Sequence, residues 1–86
     1  MTTIKATNRL GSSIDVVTDG TNQTVDGSAS LSVDPTTYLN LNGIKYERIV
    51  GEFIPDGAYT IKKGEEADRI VFNSDLGETV VAFQKV

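Results

Sequence analysis

Cysteine, histidine and tryptophan are all missing from this 86-residue chain. Without cysteine there is no disulfide, no thiolate metal site and no nucleophilic thiol, so stability has to come from packing, and the redox compartment is left undetermined. Without histidine the commonest general base near neutral pH is gone, and with it hydrolysis by a Ser-His-Asp triad and tight transition-metal binding through imidazole. Long apolar runs are missing too. No stretch approaches the roughly 20 apolar residues of a membrane helix, and the opening "MTTIKATNRLGSS" has no apolar core of a signal peptide. The chain is therefore expected to be soluble, synthesised in a cytoplasm, and to have no membrane partner.

Positive charge is scarce. Twelve Asp and Glu stand against eight Lys and Arg, a net charge of −4. The cations Lys45, Arg48, Lys62, Lys63, Arg69 and Lys85 are interleaved with Glu47, Glu52, Glu65, Glu66, Asp68 and Glu78. Such a surface repels phosphate backbones and anionic headgroups at long range, and nucleic acid is not expected as a partner. Neither Gly-x-Gly-x-x-Gly nor Gly-x-x-x-x-Gly-Lys occurs, so no phosphate loop and no cofactor are expected.

What is present reads as strands. A chain of 86 residues forms a single β domain over 1–86 with a thin core, burying about 60 to 65% of the surface its unfolded form exposes. Period-2 runs of β-branched and aromatic residues recur between Gly, Asn and Asp clusters. "SASLSV" sets Ala29, Leu31 and Val33 on one face and serines on the other. Ile4 and Ala6 share a face near the start, as do Ile14 and Val16. Asn42-Gly43, the dipeptide best suited to a type I′ hairpin, joins 38–41 to 44–50. "IPDGAY" turns the chain between 52–54 and 58–62, and "TDGTNQTVDG" is a loop or a loop enclosing a short strand. The expected fold is all-β, a small antiparallel β-sandwich or barrel of seven to eight short strands.

Chemistry is thinly supported. A carboxylate pair of the glycosidase kind needs two acids about 5 to 10 Å apart across a cleft, which a domain with short loops rarely encloses, so no enzyme is expected. Asp15, Asp19, Asn22 and Asp26 lie close enough in sequence to suggest calcium, but their spacing is not that of an EF-hand and matches what turns select. Tyr38, Tyr46 and Tyr59 are the tyrosines that could stack on a sugar, yet each sits in an apolar strand pattern that favours burial with the hydroxyl at the surface. A ligand-binding module for carbohydrate or calcium, built on 19–26 with Tyr38 or Tyr59, is the alternative function.

The second face of the strands is more telling. Behind an inward set of Ile14, Val16, Leu31, Val33, Ile70, Phe72, Val81 and Phe83 stands an outward apolar set of Val17, Val71, Val80 and Ala82. A lone sheet with one wet face alternates cleanly between apolar and polar, and contiguous outward valines mark an interaction surface. These four residues are therefore expected to form an interface with a protein partner or a second copy in a homo-oligomer. The main expectation is a non-enzymatic structural or interaction protein acting by assembly. Small, acidic, cysteine-free, Thr- and Asn-rich β domains of this kind look like virion accessory proteins of bacteriophages, such as capsid decoration or tail components. That resemblance is carried by composition and size, and it implies incorporation into a virion.

Overall fold

The short β-branched and aromatic runs become nine strands among the described residues: β1 (Thr2–Asn8), β2 (Ile14–Thr18), β3 (Thr21–Val25), β4 (Ser28–Val33), β5 (Tyr38–Leu41), β6 (Ile44–Val50), β7 (Ala58–Lys63), β8 (Arg69–Ser74) and β9 (Val80–Lys85). The computed structural model describes residues 2–18, 21–33, 38–74 and 80–86, with Thr21 and Val80 described by their backbone alone. All nine strands belong to one sheet in the order β3-β2-β5-β6-β9-β8-β7-β1-β4. Every pairing is antiparallel except β1 with β7, which is parallel. The two outermost strands, β3 and β4, follow each other in the chain, so the sheet curls into a nearly closed barrel.

The β3–β4 seam is closed by side chains. The Gln23 side-chain amide donates to the Ser32 carbonyl (2.9 Å) and accepts from the Ser32 N–H (2.9 Å), the two bonds that a neighbouring strand's backbone would make. The buried Thr18 hydroxyl donates to the same carbonyl at 2.7 Å, so both its lone pairs are used. Beside the seam, the Asn8 amide donates to the carbonyls of Ser12 (2.7 Å) and Val25 (3.1 Å) while its oxygen accepts from the Leu10 N–H (2.8 Å).

Alternation then fills the interior. All eight residues expected inward are buried, with Ile4, Ala6, Val25, Leu39, Leu41, Tyr46, Tyr59 and Ile61 completing the cluster. One end of the barrel is stoppered by Phe53. Its ring meets Tyr59 (5.4 Å) and Phe72 (5.0 Å) edge-on and stacks on Phe83 at 6.1 Å, in the range where aromatic pairs add to plain burial.

Residues 52–54 were expected as a strand and are not one. The β6–β9 register shifts between Arg48 and Val50, and Gly51 at φ 85° carries the chain away from β9. The Ile54 N–H then donates to the Tyr59 hydroxyl at 2.9 Å instead of to a strand. Conversely, the segment read as a loop enclosing a short strand contributes β3. The Asn42-Gly43 turn is as expected, with both residues at positive φ (51° and 82°), and it also grips β2: Asn42 N–H donates to the Asp15 carbonyl and Asp15 N–H to Asn42 Oδ1, each at 2.8 Å. In the Pro55-Asp56 turn, a Cβ on Gly57 would lie 2.9 Å from both the Ile54 carbonyl oxygen and the Tyr59 ring, so glycine is required there.

Replacing Gln23 with Ala leaves the Ser32 N–H without its partner, and this is expected to cost about 1–3 kcal/mol in chemical denaturation. Gln23→Glu should also destabilise, because it turns the donor to Ser32 into a charged acceptor. Phe53→Ala is expected to cost about 2–3 kcal/mol, less than the ~3–5 kcal/mol of truncating the fully buried Phe72, since Phe53 is only partly covered. Equal losses for Phe53→Ala and Phe72→Ala would contradict the stopper geometry.

Candidate functional site

The register of the strands decides which outward residues meet. Across β7, β8, β9 and β6, Lys62 pairs with Val71, Val71 with Ala82, and Ala82 with Val50. At about 4.8 Å per strand, that row crosses roughly 14 Å of the outer surface. The bulge in β6 is what brings Val50 into it. Regular alternation from Tyr46, which is buried, would point residue 50 inward; the extra residue turns Val50 outward beside Ile49, and the two are 56% and 48% exposed. Val50, Val71 and Ala82 line a surface groove of about 460 Å³ with Lys62, Lys63, Arg69 and Asn73 around them.

Charge is arranged unevenly about this groove. Lys62, Lys63 and Glu65 line it from β7 and the residues after it, whereas Glu47, paired with Gln84 and through it with Arg69, lies on β6 outside the lining. Arg69 is already engaged: its guanidinium meets Glu66 at 2.9 Å, and its Nε donates to the Gln84 side chain at 3.2 Å.

Of Val17, Val71 and Ala82, the three of the four expected interface residues whose side chains are described, the structure brings together two. Val71 and Ala82 are cross-strand partners, but Ala82 is sunk between its neighbours at 4% exposure and serves as the floor. Val17 lies on β2, separated from β9 by β5 and β6, and its own partners are the polar Asn22 and Asn40. Val80 pairs through its backbone with Asn73, and its side chain lies outside the described residues. Sequence reasoning missed Ile49 and Val50. An adjacent β-branched pair followed by glycine was the available signal for a bulge.

The residues of the calcium and sugar reading are dispersed or occupied. Asp19 lies outside the described residues; Asp15 Oδ1 accepts from the Thr24 hydroxyl at 2.9 Å. Among the described residues no three of His, Cys, Asp or Glu come together as metal ligands would. Tyr59 is fully buried, accepts from Ile54 and packs on Phe53 and Phe72. Tyr38 is half exposed, but the Lys45 ammonium sits over its ring 3.9 Å from the centroid.

Comparison of the chain with models of protein families, with curated proteins and with solved structures finds no match.

Proposed function

We propose that this protein is a non-enzymatic interaction protein that acts by assembly, through the outer face of β6, β9 and β8. The observation that carries this reading is the row Val50–Ala82–Val71 with Ile49 beside it. Apolar side chains gathered on one outward groove gain from being covered, at about 25 cal/mol per Å² of apolar area removed from water. Ala82 as floor leaves room for a partner's side chain between the flanking valines. Lys62 and Lys63, which line the groove together with Glu65 and the already paired Arg69, favour acidic groups on the partner. The size and composition that resemble phage virion accessory proteins fit a partner presented on a repeating protein lattice. A stable contact of this kind should bury upward of about 1,000 Å² in total.

A lysine at Val71 would bring a charge into the desolvated contact, whereas a lysine at Val17 lies outside it. Sedimentation equilibrium, together with capture of the partner from the native source, should show that Val71→Lys and Val50→Lys lose association while Val17→Lys keeps it. All three should melt close to the parent. A parent that stays monomeric when concentrated and captures nothing would end this reading, as would a Val17→Lys variant that loses association equally.

A further inference from the structure

The two ends of the barrel differ. Phe53 stops one end, and the residues around it are almost fully buried: Tyr59, Phe72, Val33 and Val81. At the other end, where β2, β6 and β8 begin and β5 and β7 finish, no aromatic ring from a loop enters among the described residues. There Leu10, Ile14, Leu41, Ile44 and Ile70 line a cavity of about 210 Å³, with Ser12 and Asn42 at its rim beside Tyr46 and Lys63. It adjoins a second, larger and equally open cavity of about 500 Å³ that shares Tyr46, Lys63 and Ile70 with it. Mouths of β-barrels are a preferred place for small ligands, and this volume falls below the roughly 300–1,000 Å³ of drug-sized sites.

Tyr46 and Lys63 both line this mouth. Tyr46 is only 9% exposed, and its hydroxyl has no hydrogen-bond partner among the described residues. Yet among the described residues no fully enclosed polar side-chain atom lacks a partner. The hydroxyl is therefore the part of Tyr46 that meets the open space, and both cavities are lined by this residue. Buried tyrosines ordinarily find a partner for the O–H. Lys63, the cross-strand partner of Ile70, lines the same two cavities and makes no ion pair among the described residues. Among the described residues it is the one charged residue lining the smaller cavity; Glu65, Glu66, Asp68 and Arg69 line the larger one beside it, where Glu66 is held by Arg69.

We propose that this open end binds a small amphipathic carboxylate, its apolar chain between Leu10, Ile14, Ile44 and Ile70 and its head accepting from the Lys63 ammonium and the Tyr46 hydroxyl. An apolar wall takes the chain by removing it from water, and two donors beside that wall select an anionic acceptor. Lys63 also lines the groove of the β6–β9–β8 face, but Tyr46 and the apolar residues of this site do not, so Tyr46 and those methyl groups test it apart from the assembly reading.

The test is an NMR titration of the full chain with hexanoate, hexanamide and hexylamine, following the methyl groups of Leu10, Ile14, Ile44 and Ile70. Hexanoate should give saturable shifts at these methyls in the millimolar range, with hexanamide about tenfold weaker, the factor that loss of a charge-assisted hydrogen bond removes. Lys63→Gln should erase the preference for the carboxylate, Lys63→Arg should keep it, and Lys62→Gln, one residue away on the outer face, should leave it unchanged. Tyr46→Phe should weaken hexanoate about threefold with no loss of folding stability, because the hydroxyl it removes has no hydrogen-bond partner among the described residues. Absence of saturable shifts, tighter binding of hexylamine, or an unchanged preference in Lys63→Gln would each overturn the proposal.

Discussion

The pair of hydrogen bonds between the Gln23 amide and the Ser32 backbone is the interaction on which the rest of this structure depends. A nine-stranded sheet that curls without closing leaves two edges facing each other, each with backbone groups that need partners. Here β3 and β4 are joined in sequence but form no ladder, and a side-chain amide does the work of a strand's peptide group. Thr18 from β2 adds a third bond at the same carbonyl, so β2, β3 and β4 converge on one residue. Behind the seam lie Val16, Val25 and Leu31, all fully buried. Opening it would wet that side of a core which, in a chain of this size, has little to spare.

Closure also makes the two ends and the outer face into separate environments. With the seam shut, the two ends are the ways into the interior that the described residues leave. Phe53 occupies one, held by three rings and by the turn that Gly57 permits. The other keeps Tyr46 and Lys63 around an apolar well. Outside, the bulge that releases the chain from β9 toward Phe53 is also what turns Val50 onto the groove floored by Ala82. One local irregularity in β6 thus serves both the stopper and the proposed contact surface.

Local physics was legible in the sequence, and its long-range consequences were not. Asn42-Gly43 announced its turn because positive φ at both positions is a property of those two residues alone. The inward set from Ile14 to Phe83 was legible because period-2 alternation survives in every strand that carries it. The register across strands is a different matter: it separates Val17 from Val71 and places Val50 beside Ala82, and no single segment contains that information. Residues 52–54 look like a strand by composition, but the glycine before them and the Tyr59 hydroxyl after them take the backbone elsewhere. Gln23 looked like one polar residue among many in a turn-rich stretch. Its role depends on β4 arriving opposite it, which is settled by the pairing of β4 with β1.

Amide hydrogen exchange at Ser32 tests the central claim most directly. Its N–H points across the seam to Gln23 Oε1 and has no strand backbone opposite to shield it. If the clasp holds the barrel shut, this amide opens only with the global unfolding that frees the amides of the core strands. The account predicts protection at Ser32 equal to that of its neighbours Leu31 and Val33. Exchange at Ser32 as fast as in an exposed loop, with Leu31 and Val33 still protected, would contradict it.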